Sequence, residues 1–394
     1  MGSVKRFGHI VLPFAIAETL VWATYFYSFP AFLPIWEQEL GFSKASLTGA
    51  FTISLIVSAF VSPLVGRLID NGYGGPVFAG SAFLASLMLF LLSGATQIWQ
   101  FYLIWGVLGI AMSGSLYDAC FAIVTNCLGN NARRAITLIT LAAGFAGTVS
   151  FPSAHFLTAH YGWRTSILLF SMTVAFVCVP LILYGSKYAK QQSLLQKPRI
   201  SKRLKDAIFI IKVPTFWFIG TSFCLIAINH GLLLSHMLAI LTERGLNPVT
   251  SVLMASLVGP MQIVGRIIML IFEKRVTVFA ICFGSFNALF VAGWAIYFGS
   301  GVSILIVLFI IAQGCGYGIL SIIRPTVIAE FLGRRDFGIV SGMLAIGFVL
   351  GMAFAPTFGS LLWLYGGYDL VIGTAICIPV LSMAAFIGAW YFQK

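Results

Sequence analysis

Residues 186–212 read SKYAKQQSLLQKPRISKRLKDAIFIIK and form the longest polar segment of this sequence. The chain around it has 394 residues, of which 60% are hydrophobic and only 9% are charged. Ordinary soluble domains contain about 25% charged residues, so this chain could not cover a water-facing surface. The composition excludes a soluble globular protein, and the polar segment separates two apolar parts, residues 1–185 and 213–394.

Each apolar part contains six hydrophobic segments that are long enough to cross a bilayer, which requires about 20 residues in a helix. The predicted limits of spans one to twelve are 8–35, 45–66, 76–95, 98–124, 135–159, 164–185, 213–242, 248–272, 276–299, 302–331, 338–363 and 368–391. We therefore predict an all-α polytopic membrane protein with twelve transmembrane helices. Two six-helix bundles, 1–185 and 213–394, would be joined by a cytoplasmic linker at 186–212.

The distribution of basic residues predicts the orientation of the spans. Of the 23 Lys and Arg residues, only Lys44, Arg164 and Arg244 fall in loops on the predicted outer side, and Arg324 lies within span ten. The other 19 fall in the predicted inner loops and chain ends, which is the asymmetry expected of cytoplasmic loops. Both termini are therefore expected in the cytoplasm. Because the net charge of +12 lies in short loops, it does not indicate nucleic-acid binding.

The two parts share an internal repeat. Span five reads ARRAITLITLAAGFAGTVSFP from residue 132, and span eleven reads GRRDFGIVSGMLAIGFVLGMAFAP from residue 333. Both segments contain a basic pair, then a Gly-Phe pair, then a proline, in the same order and at similar spacing. Chance similarity between apolar runs is the alternative explanation. Since six spans per part is an even number, the repeat predicts two parallel, pseudo-symmetric bundles.

The loop between spans two and three carries a family motif. Gly66, Leu68 and Asp70 match the pattern G-x-L-x-D-[RK]-x-G-[RK]-[RK], whereas Asn71 and Tyr73 depart from it and the final basic pair is absent. With the twelve spans and the repeat, the chain resembles the major facilitator superfamily of secondary transporters. The resemblance implies alternating access, a central cavity lined by spans one, four, seven and ten, and a gating role for Gly66, Arg67 and Asp70.

The sequence also departs from the drug–proton antiporters of this family. They carry an arginine in span four ahead of a glycine-rich run, where this chain has Ile104 and Trp105, and their span-five pattern is absent. Residues 36–51, WEQELGFSKASLTGAF, and the arginine in a late span resemble the monocarboxylate and oxalate/formate branch instead. The resemblance to that branch implies a small organic anion as substrate.

Ionisable residues deep in a span are candidates for function, because a charge at the bilayer centre costs about 2.5–3.5 kcal/mol on insertion scales. Six such residues are present: Glu18, Asp118, His155, His230, His236 and Arg324. All except His155, on span five, lie on spans one, four, seven and ten. The positions of these five residues indicate one polar region near the bilayer midplane.

Glu18 is the predicted proton carrier. Trp22 and Tyr25 follow it at helical spacings of four and seven residues, so all three side chains are expected on one face. A carboxyl group beside aromatic rings loses hydration, which suits it to bind and release a proton. The alternatives are substrate contact or a structural hydrogen bond to a neighbouring helix.

Arg324 is predicted to bind an anionic substrate, because its planar guanidinium group can form two parallel hydrogen bonds to a carboxylate. Asp118 could form an ion pair with it or take part in proton coupling. If Glu18, Asp118 and Arg324 were all charged, the site would carry a net charge of −1. Either a proton then neutralises one acid, or the substrate is a cation, and the sequence leaves both possibilities open.

The sequence predicts no enzyme activity, since P-loop, HExxH and GxSxG motifs are absent. The seven cysteines have no metal-ligand spacing, so neither a metal nor a cofactor is expected. We predict a monomeric, proton-coupled transporter of a small organic anion in a plasma or bacterial inner membrane. The predicted substrate contacts are Arg324, Tyr25, Asp118, His230, Asn229 and Trp22. Two alternatives remain: an exporter of amphipathic cations, drugs or a metabolite such as a siderophore, and a transport-dead receptor or scaffold.

Overall fold

The structure is a computed structural model that describes residues 2–195, 209–272, 275–334 and 336–393. These residues form helices joined by short turns, and no strand occurs among them. Helices suit an apolar environment because they satisfy the backbone hydrogen bonds within one segment. The structure therefore has the all-helical architecture that the hydropathy predicts.

The helices match the predicted spans in order and approximate limits. Spans one to six contain the helices Gly2–Val21, Ser28–Leu40, Lys44–Leu68, Gly74–Ser93, Ile98–Ser115, Tyr117–Leu128, Ala132–Ala143, Ala146–Thr173 and Val179–Leu195. Spans seven to twelve contain the helices Pro214–Glu243, Pro248–Phe272, Val278–Tyr297, Ser303–Phe331 and Phe337–Phe392. Short π-helical segments at Trp22–Phe26, Ile69–Tyr73 and Val174–Cys178 interrupt spans or connect them.

Four glycines turn the chain within long apolar helical segments. The described residues contain eight segments that are apolar and long enough to cross a membrane, and the longest is Ile98–Gln191. Within them the backbone takes positive φ angles of 90° at Gly72, 55° at Gly129, 77° at Gly162 and 64° at Gly367. Glycine adopts this conformation without the steric cost of a Cβ atom. The turns divide the eight segments into twelve membrane spans.

The chain folds as two compact units. The first contains Met1–Ala207 with Arg334–Ala345, and the second contains Ile208–Gly333 with Ile346–Lys394. The start of span eleven thus packs within the first unit, although it follows the second unit's first four spans. Residues 196–208 of the predicted linker lie outside the described residues, so the predicted domain limits stay a prediction.

Aromatic side chains fill much of the first unit's core. Trp36, Trp105 and Phe101 are fully buried, and the Trp36 ring lies 5.2 Å from Phe101 in an edge-to-face arrangement. Phe29 packs between Trp105 and Phe51, at 5.0 Å and 4.5 Å. Large rings bury much apolar area and prefer these arrangements. This cluster fixes span one against spans two and four, and so positions the polar residues of span one.

The second unit has an aliphatic core instead. Leu232, Met237, Ile296, Phe309 and Ile372 are buried in one contiguous cluster that joins spans seven, nine, ten and twelve. It is apolar throughout, so any polar side chain next to it lacks water as a hydrogen-bond partner.

Candidate functional site

Glu18 is completely buried within the first unit. The indole nitrogen of Trp22 donates a hydrogen bond of 3.1 Å to its Oε2 atom, and the Cys120 thiol of span four also interacts with the carboxyl group. Trp22 lies one helical turn after Glu18, at the spacing that brings two side chains together. Burial of a charged carboxyl group away from water is costly unless hydrogen bonds or a counter-ion compensate for it.

A π-helical segment, Trp22–Phe26, follows Glu18 directly. The Tyr27 amide donates to the Trp22 carbonyl at 2.9 Å, five residues back instead of four. The extra residue per turn changes the direction of the side chains that follow. Tyr25 is fully buried, and its hydroxyl lies 2.6 Å from the Ser115 Oγ atom of span four. Tyr25 therefore connects span one to span four inside the unit.

Span four is broken at the level of this contact. The helix Ile98–Ser115 ends there, Leu116 has an extended backbone with φ −103° and ψ −172°, and a second helix begins at Tyr117. Hydropathy alone predicted one continuous span from 98 to 124, because it does not register backbone geometry. The break places Asp118 in the first turn of the new helix, where the helix dipole stabilises a negative charge.

Aromatic rings lie beside the two acids of the first unit. Trp22 packs on Tyr117 at 4.6 Å, and Tyr117 stacks on Phe121 at 5.0 Å with nearly parallel planes. Asp118 is half-buried, and it is close enough to Glu18 for the two carboxyl groups to interact electrostatically. Trp22, Tyr25, Glu18 and Asp118 thus belong to one local cluster in the first unit.

Asp70, the predicted gating acid, binds the start of span eleven. Its Oδ1 atom accepts hydrogen bonds from the Gly338 amide at 2.8 Å and from Asn126 Nδ2 at 3.0 Å. Its Oδ2 atom accepts a bond from the Ile339 amide at 2.9 Å. These are the first free amides of the helix that begins at Phe337, and such helix ends favour anions.

The other two predicted gating residues lie one turn before Asp70. Gly66 approaches Gly338 so closely that a Cβ atom on it would lie 2.0 Å from the Gly338 carbonyl oxygen. Arg67 is partly buried in the last turn of the helix Lys44–Leu68. In the repeated position of the second unit, Arg266 is buried and directs its guanidinium to the Gly318 carbonyl and to Ser321, each at 3.4 Å.

Arg324 is buried in the second unit, with only 7% of its surface exposed. Its guanidinium carbon lies 4.5 Å from the centre of the Phe348 ring, within the range of a cation–π contact. The face of the Phe348 ring attracts the positive guanidinium group but carries no formal negative charge. The predicted pairing of Arg324 with Asp118 would join the two units and stays a prediction.

The polar residues of span seven have different surroundings. The His230 ring stacks on Tyr317 of span ten at 3.4 Å, with an angle of 7° between the planes. The neighbouring Asn229 donates from Nδ2 to the Ala375 carbonyl of span twelve at 2.9 Å. His230 Nδ1 and Asn229 Oδ1 are buried and have no hydrogen-bond partner among the described residues. Both side chains thus have hydrogen-bonding capacity that their present contacts do not use.

A family model described as Major Facilitator Superfamily matches residues 14–286 of the chain. This range covers more than half of the sequence and includes most of span one and spans two to eight in full. The chain belongs to the Major Facilitator Superfamily. It is accordingly a multi-span membrane protein of a family of transporters, as the motif at Gly66–Asp70 and the twelve spans predicted.

Curated relatives within the superfamily match one half of the chain. The Multidrug resistance protein MdtG of Klebsiella pneumoniae (strain 342) is 27% identical over 202 residues, which cover 47% of this chain and 48% of the relative. The protein of the same name from Escherichia fergusonii is 29% identical over 189 residues, covering 46% and 45%. The chain thus spans about half the length of the curated relatives it matches.

Solved structures of superfamily members match the fold over its whole length. A bacterial homologue of the iron transporter ferroportin, in an outward-facing state with soaked iron, has a TM-score of 0.73 at 16% identity and covers 98% of this chain and 99% of its own. The transporter FucP in an outward conformation has a TM-score of 0.70 at 15% identity, covering 99% and 98%. The human organic anion transporter MFSD10 (TETRAN) reaches 0.65 at 15% identity, covering 99% of each chain. At these identities the likeness shows the fold alone.

The structure also brings forward residues that the sequence analysis missed. Gln313 of span ten is 1% exposed, and neither atom of its amide group has a hydrogen-bond partner among the described residues. Its spacing of four residues to Tyr317 and eleven to Arg324 places the three on one face of the helix. A search for charged residues passes over an amide, although a lone glutamine in the run IIAQGCGYG was a usable signal. Ser115, Cys120 and Asn126 were missed because their roles depend on contacts with other spans.

Proposed function

We propose that this superfamily member is a proton-coupled secondary transporter of a small organic anion that works by alternating access. The observation that carries the proposal is the complete burial of Glu18, whose carboxyl group has the Trp22 indole and the Cys120 thiol as hydrogen-bond partners. Burying a carboxylate costs stability, so an acid at such a position is expected to have a function such as binding a proton. The proton would neutralise Glu18 when the substrate enters or leaves.

Arg324 would bind the carboxylate of the substrate. Its burial over Phe348 keeps the guanidinium fork oriented, and an oriented fork binds a carboxylate through two parallel hydrogen bonds. His230 and Asn229 would contribute further hydrogen bonds, since each has an unused buried atom. Tyr25 and Trp22 would shape the region around Glu18, and Asp118 would serve both the substrate and the proton.

Gly66, Arg67 and Asp70 would form the gate at the predicted cytoplasmic side. The three hydrogen bonds to Asp70 and the close contact at Gly66 hold the start of span eleven in place. Breaking and forming these bonds would accompany the change of access. We further propose that the protein is a monomer in a plasma or bacterial inner membrane, with cytoplasmic termini and no enzymatic activity.

A second candidate function is export of amphipathic cations. It is favoured by the aromatic rings of Trp22, Tyr117 and Phe121 beside two acids, an environment that attracts organic cations. The relatives named as multidrug resistance proteins agree with this candidate. A receptor or scaffold without transport is the third possibility, and it would show no flux of any tracer.

The test uses purified protein in proteoliposomes with an imposed pH gradient. Labelled carboxylates and the lipophilic cation tetraphenylphosphonium serve as probes, and the proposal expects carboxylate accumulation that collapses when the gradient is removed. Glu18→Gln should abolish gradient-driven accumulation but retain exchange of labelled for unlabelled carboxylate. The exposed Glu37, near the end of the helix Ser28–Leu40, provides the control Glu37→Gln, which should behave as the unmodified protein.

Two results would overturn the proposal. Accumulation of the cation alone would favour the second candidate. Loss of exchange together with accumulation in Glu18→Gln, with Glu37→Gln unaffected, would assign Glu18 to substrate binding or structure instead of proton transfer.

A further inference from the structure

A small cavity lies inside the first unit, between span two, the break in span four and the start of span eleven. Its walls include Ser62 and Gly66 of span two, Ser113 and Asp118 of span four, and Gly338 of span eleven. It has room for about one water molecule, and hydroxyl and carboxyl groups reach its surface. A polar cavity of this size is occupied by water in most proteins, whereas an apolar one stays empty.

The lining residues connect the cavity to two functional groups. Asp118 lines the cavity, and its carboxyl group interacts electrostatically with the buried Glu18. Ile69 and Gly338 also line it, and both flank the gating acid: Asp70 follows Ile69 in sequence and accepts a hydrogen bond from the Gly338 amide. The cavity therefore adjoins both the acid that interacts with the predicted proton carrier and the predicted gate.

Burial and position distinguish the two acids. Glu18 is completely buried, whereas Asp118 is half-buried, lies in the first turn of the second helix of span four and lines the cavity. Two further acids lie at the gate: Asp70, whose oxygens accept hydrogen bonds from two backbone amides and Asn126, and Asp336, which interacts electrostatically with Asp70. Asp118 is thus the group placed to receive a proton from Glu18 and to face the cavity.

We propose that this cavity holds a water molecule that carries protons between Asp118 and the gate at Asp70. The O–H bond of the Glu18 carboxyl breaks as a proton binds a carboxylate oxygen of Asp118. Asp118 then gives this proton to the water, which releases one of its protons toward the cytoplasmic side. Asp118 and the water thus end as they began, and Glu18 is left as a carboxylate. No electrons are exchanged, and the proposal rests on the role of Glu18 in proton coupling.

The walls of the cavity connect this route to gating. Gly342, in the turn after Gly338, also lines the cavity, and a Cβ atom on it would lie 2.5 Å from the Ser62 carbonyl oxygen. Span eleven therefore closes the cavity by direct backbone contact with span two. When this contact separates, the water gains access to the cytoplasmic side, and proton release then coincides with opening of the gate.

The test is hydrogen–deuterium exchange of the Glu18 carboxyl, followed by infrared spectroscopy on purified protein in lipid films. The carbonyl band of the protonated Glu18 is identified by its loss in Glu18→Gln, and exposure to D₂O shifts it as the proton is replaced. Ala119→Val places two methyl groups toward a cavity that Ala119 lines. We expect at least about tenfold slower exchange, which corresponds to a barrier about 1.4 kcal/mol higher.

The matched control is Ala122→Val, a buried position of the same helix that is not among the cavity-lining residues. A second pair guards against misfolding of the valine variant: Ser62→Ala removes a hydroxyl from the wall, and Ser54→Ala removes a buried hydroxyl elsewhere on span two. Exchange should slow in Ser62→Ala and stay unchanged in both controls.

Equal exchange rates in the cavity variants and the unmodified protein would overturn the proposal, because the proton would then reach Glu18 by another route. Absence of any carbonyl band lost in Glu18→Gln would also overturn it, and would contradict proton binding by Glu18 as well. The flux experiment separates these failures, since it measures accumulation and exchange of carboxylate without reference to the cavity.

Discussion

The side-chain amide of Gln313 shows the cost of burying a polar group in an apolar helix bundle. Gln313 is buried within span ten, and neither of its amide atoms has a hydrogen-bond partner among the described residues. Leaving one buried polar group unsatisfied costs about 1–3 kcal/mol. Such a cost persists in a natural protein when the group binds a ligand or water in another state of its cycle.

Gln313→Leu should therefore stabilise the protein while impairing transport. Replacing the unsatisfied amide with an aliphatic group of similar size should raise the free energy of unfolding by about 1–3 kcal/mol. Thermal unfolding in detergent measures the change, and carboxylate flux measures function. Gln262→Leu, at a partly exposed position in the same unit, is the matched control and should change stability by less. A lower melting temperature for Gln313→Leu would mean that the amide is hydrogen-bonded in the resting protein.

Arg324 permits a second prediction at this scale. Arg324→Lys keeps the positive charge but replaces a planar fork with a point charge, so it should weaken carboxylate binding by about tenfold, or about 1.4 kcal/mol. The measurement is the concentration dependence of carboxylate exchange in proteoliposomes. Arg275→Lys, at an exposed position of the same unit, should leave the affinity unchanged. An unchanged carboxylate affinity in Arg324→Lys would show that this residue does not bind the substrate. Cation export that survives in Arg324→Gln would favour the second candidate function.

The contact between spans two and eleven shows how elements depend on the absence of side chains. Gly66 and Gly338 face each other, and the backbone atoms of each occupy the space where the other would carry a Cβ atom. This proximity lets the Gly338 and Ile339 amides reach Asp70. The hydrogen bonds between the Asp70 carboxylate and the start of span eleven thus depend on how closely the backbones of spans two and eleven approach.

Gly66→Ala should weaken this contact. Its Cβ atom would lie 2.0 Å from the Gly338 carbonyl oxygen, so the backbones must move apart and the hydrogen bonds to Asp70 lengthen. Overpacking of this kind costs about 1–3 kcal/mol. Thermal unfolding measures the loss of stability, and amide hydrogen exchange at Gly338 and Ile339 measures the loss of protection. Gly80→Ala, where a Cβ atom meets nothing within 4 Å, is the control. Unchanged protection in Gly66→Ala would show that the contact does not hold the start of span eleven.

The sequence predicts elements better than it predicts their interruptions. Hydropathy located the spans because a bilayer requires long apolar helices, and that requirement acts on composition. It did not reveal the break at Leu116 or the π-helical segment Trp22–Phe26, since neither changes the apolar content of its span. Tyr25 illustrates the consequence: helical spacing placed it beside Glu18, whereas the π-helical segment directs its hydroxyl to Ser115.

At the scale of the whole molecule, the repeat predicted the architecture because duplication preserves helix number and direction. It did not predict how the two copies differ in contacts. The acid at Asp70 is absent from the second copy, where Met269 follows Ile268, and Arg266 binds span ten within its own unit. Candidate residues on spans one, four, seven and ten could be named from charge alone. Gln313 was missed by that search because it is uncharged, and its importance follows from the absence of hydrogen-bond partners among the described residues.

The orientation of the molecule is the property that the charge distribution predicts most directly. Three of the 23 basic residues lie in predicted outer loops and 19 lie at inner loops and ends, so inserting the protein the other way would move most of its positive charge across the membrane. Labelling of single introduced cysteines with a membrane-impermeant maleimide tests this. Ser300→Cys, in an exposed turn after span nine, should react in intact cells, and Gln393→Cys should react only after permeabilisation. The unmodified protein, with its seven cysteines, gives the background. Labelling of Gln393→Cys in intact cells would place the carboxyl terminus outside, and the gate at Asp70 would then face the opposite side from the one proposed.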